Sequence, residues 1–279
     1  MLWSLSVPLH AGERLLGSWG VSQVEGAGGG GLTPWATITG SGSSNQVGAV
    51  VYATQASTQD GYRLRVAGAA VGVHDRVELS MARWSFKLSD DVVPGKALEM
   101  TVLGAKLKVL GDAVYDQDSW RPQLSVGLQY KMADDVAALR GLGLPIHADE
   151  DVDLYASATK LWLGAAAGYN VLGNVTMRWT RANQFGLLGF GGNAESGRRL
   201  HLEGSLGLML RDDLVVGGEW RSKPDNLRVP GFEEDAAWDL FVAWFPSRHL
   251  NVTAAWLNLG NIATLKDQRG LYLSGQLAF

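Results

Sequence analysis

Apolar and polar residues alternate along almost the whole chain. From 199, Arg199, His201, Glu203, Ser205 and Gly207 fall on one parity, and Leu200, Leu202, Gly204, Leu206, Leu208 and Leu210 fall on the other. At 123 the scheme repeats, with Gln123, Ser125, Gly127, Gln129 and Lys131 opposite Leu124, Val126, Leu128 and Tyr130. A period of two marks strands with one oily and one wet face. The pattern predicts twelve strands, at 46–57, 61–73, 75–88, 99–110, 121–132, 152–162, 170–181, 199–211, 213–223, 236–245, 249–259 and 269–279. Alternation slips near Ala82, which reads as a bulge, and Lys160 breaks parity in its strand.

The same alternation fits a soluble sandwich or a membrane barrel. Three features favour the barrel. The strands are long enough to cross a bilayer at a tilt. Aromatic residues gather near strand ends on the apolar parity, as Trp84 and Phe86, Trp162, Trp179, Trp220, Trp238 with Trp244, and Trp256, in the manner of interfacial girdles. Short turns (73–77, 210–214, 245–250) alternate with long polar or glycine-rich segments such as "MADDVAALRGLGLPIHADEDV" and "RSKPDNLRVPGFEED". The expected fold is all-β, a transmembrane antiparallel up-and-down β-barrel of about 12 strands, with 10 or 14 as alternatives. An even count leaves "LTPWATITG" (32–40) as a luminal or periplasmic segment, or as one of two extra strands.

Composition narrows this reading. The 279 residues carry no linker, so one domain is expected. A net charge of −4 gives no footprint for nucleic acid. Cysteine is absent, which removes disulfides and thiolate sites. Glycine (36) and tryptophan (11) are abundant and proline (8) is scarce, as suits long bent strands. No apolar run is long enough for a membrane-spanning helix, and a mean hydropathy of zero is what a barrel gives when its two faces cancel. The opening "MLWSLSVPLHAG" resembles a signal segment, with cleavage after Ala11 but without a basic start. The expected organisation is therefore a signal segment at 1–11, a glycine-rich segment and candidate plug at 12–45, and the barrel at 46–279.

Few motifs promise chemistry. "GAGGGG" (26–31) satisfies the dinucleotide fingerprint through Gly26, Gly28 and Gly31, but Leu32-Thr33-Pro34 follows where a helix should open. It reads instead as flexible or tightly bent backbone. Five scattered histidines form no metal pattern, so no metal or other cofactor is expected. His201, Glu203 and Ser205 share a strand face, yet residues two apart on a strand lie about 6.7 Å apart, which makes a poor catalytic relay. Asn174-Val-Thr176 and Asn251-Val-Thr253 match the glycosylation pattern inside predicted strands and read as chance.

Parity assigns a luminal set: Arg63, Arg65, Arg76, Glu78, Lys106, Lys108, Lys131, Arg178, Arg199, Glu203, Glu219, Arg221 and Asp239. Its mixed signs suit ion pairs that fill a narrow lumen, or a polar conduit. The loop "RANQFGLLGFGGN" is both apolar and glycine-rich. Phe185, Leu187, Leu188 and Phe190 are its candidates for a constriction, with an exposed contact surface as the other reading. The last strand, "GLYLSGQLAF", puts Leu271, Leu273, Leu277 and Phe279 toward lipid. Its terminal aromatic resembles the signal read by the barrel-assembly machinery, which would place Phe279 at the periplasmic rim.

The segments "GVSQVEGAGGGGLTPWATITG", "GAAVGVHDRVELSMAR", "GDAVYDQDSWRPQLSVGLQYK", "RANQFGLLGFGG", "RSKPDNL", "FVAWFPSRHLNVTAAWLNLGNI" and "QRGLYLSGQLAF" together resemble a bacterial family, domain of unknown function 3034. The resemblance runs in order over about residues 19 to 279. It implies an outer-membrane barrel in contact with lipid and supplies no activity, substrate or catalytic residue. The expected function is non-enzymatic: a porin-like channel or passive transporter for small solutes. The alternatives are a structural or adhesion barrel with a closed lumen, an uptake channel for hydrophobic compounds, and, last, an outer-membrane hydrolase.

Overall fold

The computed structural model describes residues 16–40, 42–88, 95–230, 233–262 and 266–279, so the signal-like stretch 1–11 lies outside it. Two short strands, β1 (Val21–Ser22) and β2 (Gly28–Gly29), pair as a hairpin of their own. The rest of the chain forms the wall. Strands β3 (Val47–Thr58), β4 (Arg63–Val73), β5 (Val77–Lys87), β6 (Ala97–Leu110), β7 (Gln123–Ala133), β8 (Glu150–Ala166), β9 (Tyr169–Thr180), β10 (Arg199–Arg211), β11 (Leu214–Arg221), β12 (Ala237–Trp244), β13 (Leu250–Asn258) and β14 (Arg269–Ala278) pair in chain order. β14 returns to β3, from Gly270↔Thr58 to Ala278↔Val50, and closes a twelve-strand antiparallel barrel.

Each wall strand has an inner and an outer parity. On β14, Tyr272, Ser274 and Gln276 are buried while Leu271, Leu273 and Leu277 are exposed. Leucine on the outer face of a closed sheet requires an apolar solvent, and the aromatic residues mark its limits. Trp179, Trp220, Trp238 and Trp256 lie outside near one rim, with Trp238 and Trp256 in edge contact at 5.3 Å. Trp162 and Trp244 lie outside near the other. Phe279 shares that second rim and exchanges backbone hydrogen bonds with Ala49.

Three local expectations are corrected. The β4–β5 and β5–β6 ladders run past Ala82 without a shift, so there is no bulge there. The alternation only looks broken because Arg83, Ser85 and Lys87 occupy the outer parity where β5 rises to the rim, and Trp84 and Phe86 point inward, buried, and belong to no girdle. Strand β8 is also longer than 152–162. It overruns the start of β7, and the connection 111–122 covers its free edge: the Leu161 N–H donates to the Ala113 carbonyl, and Lys160 Nζ donates to the Asp116 carbonyl. Lys160 therefore faces outward yet is satisfied, and this connection is the one long segment at the rim of short turns. The β3–β4 turn is the one short segment at the opposite rim.

Candidate functional site: a plugged lumen with two cavities

Residues 19–40 are buried throughout, inside the barrel. The segment folds back tightly. Gln23 N–H donates to the Ala27 carbonyl (2.8 Å), Val24 N–H to Gly31 (3.0 Å) and Gly30 N–H to Thr33 (2.9 Å). The glycines of 26–31 let this backbone lie directly on the wall. A Cβ on Gly30 would stand 2.0 Å from Glu219 Oε1, and one on Gly29 would stand 2.5 Å from the Thr33 carbonyl. The run is a packing device, and the 32–40 segment is luminal rather than a pair of extra strands.

An irregular segment buried away from water must find partners for its backbone. The wall supplies them. Glu78 accepts from Gly28 N–H (2.9 Å) and Thr39 N–H (2.8 Å), while Lys106 Nζ donates to the carbonyls of Gly28 and Thr37 (both 2.8 Å). Glu78 and Lys106 are direct cross-strand partners, joined at 3.0 Å. Glu219 accepts from Leu32 N–H (2.8 Å) and from Thr33 Oγ1 (2.6 Å), and Thr159 Oγ1 accepts from Ala36 N–H (2.7 Å).

One plug carboxylate meets a charged layer of the wall. Glu25 accepts from both terminal guanidinium nitrogens of Arg221 (2.8 and 3.0 Å) and from the ammonium of Lys131, and lies 3.5 Å from Arg178. Asp153 pairs with Lys131 at 2.7 Å, and Glu203 pairs with Arg178 and with Arg221 (3.2 Å). Without Glu25 this layer holds three cations and two anions, so the plug supplies the missing negative charge.

The remaining sequence-assigned residues are distributed as follows. Asp239 is buried opposite Glu219 on the neighbouring strand. Lys108 sits inside the short-turn rim, bonded to Asp75 (2.6 Å) and Asp112 (3.3 Å). Arg63 and Arg65 take the outer parity of β4, because Leu64 and Val66 fill the inner one. Arg76 is exposed in the β4–β5 turn, and Arg199 is exposed at the long-loop rim beside Glu195. These four are corrections: near a rim either parity meets water, so polarity there does not report the lumen. Glu25, Gln23 and Asp153 belong to the buried layer and were missed, and Gln129, on the wet parity of its strand, belongs to it without being in the luminal set.

The loop after β9 folds down into the barrel mouth, burying Phe185, Leu187, Leu188 and Phe190. Gln184 (φ 44°) and Phe185 (φ 62°) take left-handed backbone, which is rare for such side chains. The Arg221 guanidinium lies 4.5 Å from the centre of the Phe185 ring, so this ring separates the charged layer from what lies above it. A short helix, α1 (Val136–Gly141), and the loop after β11 complete the roof. There Lys223 pairs with Glu234 at 2.8 Å, and burial pushes the Glu234 carboxyl up against that pull.

Two cavities lie among the described residues, one on each side of the plug. The one beneath the long loops, about 230 Å³, is lined by Tyr62, Trp84, Phe86, Leu98, Phe185 and Leu257 among others. The one toward the short-turn rim, about 520 Å³, is lined by plug residues such as Gly20, Val21 and Trp35 and by Leu172, Phe241 and Phe245 of the wall. His201 and Ser205, which share a strand face, do not meet: His201 Nδ1 faces Ser222 Oγ (3.3 Å), whereas Ser205 Oγ is engaged by Trp35 (3.0 Å) and Glu219 (2.9 Å). Among the described residues no cluster could hold a metal ion.

A closed antiparallel barrel with leucine outside, aromatic belts at both rims and a lumen filled by its own N-terminal segment is a plugged β-barrel of the bacterial outer membrane. The chain belongs to the family described as "Protein of unknown function (DUF3034)", which matches residues 18–276. No curated protein matches the sequence. Among solved structures, the NanC porin is similar in fold at 10% identity, with a TM-score of 0.50 over 83% of this chain and 98% of that one. Omp33 of Acinetobacter baumannii gives 8% identity, a TM-score of 0.47 and coverage of 85% and 100%. An outer membrane channel from Pseudomonas putida F1 gives 14%, 0.44, and 88% and 97%.

Proposed function

We propose that the protein is a passive outer-membrane transporter for small solutes, with the segment 19–40 as its gate. One observation carries this reading: the plug lies across the lumen between two cavities and is held there by side chains of the wall. Only the two-residue ladder of β1 and β2 is regular sheet, and it is not continuous with the wall. A segment held by side-chain bonds leaves when those bonds are weakened, whereas a wall strand does not. Long loops face the exterior and short turns the periplasm, as is usual for such barrels, so the path runs from the apolar cavity past Glu25 to the inner cavity. As a transporter the protein performs no chemistry on its solute.

The chain has no cysteine, so a single engineered disulfide tests the gate. Thr33 Oγ1 of the plug touches Ser205 Oγ of the wall. Full-length Thr33→Cys/Ser205→Cys in planar bilayers should be silent when oxidised and should open when reduced, more often with Glu25→Gln added. Equal traces in both redox states would remove the gate. Silence of all variants would favour a structural barrel.

Phe279 is proposed to serve as the assembly signal. Its deletion should lower the amount inserted by the barrel-assembly machinery in cells while leaving strand content after refolding unchanged. Normal insertion would count against that role.

A further inference from the structure

We infer that the outer cavity binds a small apolar molecule carrying one hydrogen-bonding oxygen, a phenol-like or long-chain-alcohol-like compound, through the oxygen of Tyr62. The inference rests on the transporter reading only for the further step that this compound is the solute carried; binding itself stands alone.

The lining excludes polar solutes. Two ring pairs frame the space: Tyr62 stacks on Phe86 (5.4 Å, 13°), and Trp84 leans on Phe185 (6.3 Å, 48°). The polar atoms near them are already used. Trp84 Nε1 donates to the Val24 carbonyl (2.7 Å), and the Gln184 amide is taken by Lys223 (3.2 Å) and the Asn261 carbonyl. The cations Arg221 and Lys223 lie against the Phe185 ring, 4.5 and 5.7 Å from its centre.

Two phenols that line the cavity, Tyr62 and Tyr272, keep a buried hydroxyl with no hydrogen-bond partner among the described residues; that of Tyr272 lies against Gly31 of the plug, which leaves Tyr62 for a ligand. Tyr62 is 1% exposed. A buried hydroxyl left unpaired is costly, and a ligand oxygen removes that cost. An apolar cavity of about 150 Å³ holds benzene, so the 230 Å³ here accommodates a substituted ring or a medium-length chain. Access lies at the roof, where Leu142 is 75% exposed beside Gly143, an apolar residue displayed at the mouth of an apolar cavity.

The test is equilibrium dialysis of 1-naphthol and of naphthalene against the full-length protein in amphipol. One saturable 1-naphthol site per chain is expected. Leu98→Trp, which fills the cavity from the wall, should abolish it, and Leu144→Trp, which fills it from the roof loop, should do the same if the wall variant fails to fold. Tyr62→Phe should weaken 1-naphthol about five-fold, the worth of one ordinary hydrogen bond, and leave naphthalene unchanged. Absence of saturable binding, or binding that survives both filling variants, overturns the site. Equal weakening of both compounds by Tyr62→Phe overturns the role of the oxygen. Binding with all variants silent in bilayers keeps the site and removes the transporter, while conductance without binding does the reverse.

Discussion

Polar and apolar levels of the lumen meet on the same two strands, β5 and β6. Inward positions of β5 read Glu78 at the plug and Trp84 and Phe86 above it; those of β6 read Lys106 and then Met100 and Leu98. The difference follows the backbone each layer faces. At the lower level the wall meets loops whose N–H and C=O groups have no sheet to join, and Glu78, Lys106, Thr159 and Glu219 act as that missing sheet. Above Val24 there is little plug backbone left to satisfy, and hydrocarbon suffices. Inner parity therefore decides that a side chain faces the lumen, and the neighbouring backbone decides whether it must be polar.

The sharpest way to break that contrast is to remove the plug's carboxylate. Glu25→Leu leaves Lys131, Arg178 and Arg221 against Asp153 and Glu203, a buried cation without a partner. We expect a loss of about 3–5 kcal/mol, read from denaturant unfolding in detergent. Adding Lys131→Met restores the balance of charge and should recover more than half. No recovery would show that Glu25 acts through something other than charge.

A smaller effect is expected from adding a single methyl at the plug. Gly30→Ala pushes a Cβ onto Glu219, so about 1–3 kcal/mol should be lost to overpacking. At the roof, Gly141→Ala meets nothing within 4 Å in α1 and should be neutral or mildly stabilising. Similar losses at both sites in thermal melts would mean that the plug is packed no more tightly than the mouth. Between the layers, Trp84→Phe deletes the 2.7 Å bond to the Val24 carbonyl and should cost about 1–2 kcal/mol.

How much of this was legible in the sequence depends on which constraint shaped each residue. The wall was legible because lipid outside and a filled lumen inside enforce period two on all twelve strands. Glu78, Lys106, Lys131, Arg178, Glu203, Glu219, Arg221 and Asp239 keep the inner parity of their strands, and all are buried against the plug or one another. Asp153 and Gln129 were left out of the luminal set for different causes: the long β8 overruns its neighbour and Lys160 obscures its parity, while Gln129 carries no charge to draw notice. Glu25 was illegible, since the plug has no period and its single carboxylate is explained only by cations distant in sequence. Trp84 and Phe86 misled because an aromatic residue near a strand end suits both an interfacial girdle and an apolar pocket.

The smallest expected effect concerns Arg63 and Arg65, which carry the same charge as Lys131 but stand on the other face of the wall. In a channel held open by Glu25→Gln, Lys131→Gln removes a fixed cation from the solute path and should shift the reversal potential in a salt gradient toward cation selectivity. Arg63→Gln and Arg65→Gln remove charges on the outer face of β4, separated from the path by the sheet and by Leu64 and Val66. Water and ions screen exposed charge over about 8 Å at physiological salt, so these two substitutions should leave the reversal potential where it was. A shift equal to that of Lys131→Gln would mean that ions travel along the rim outside the plug, and the gate would have to be sought there instead.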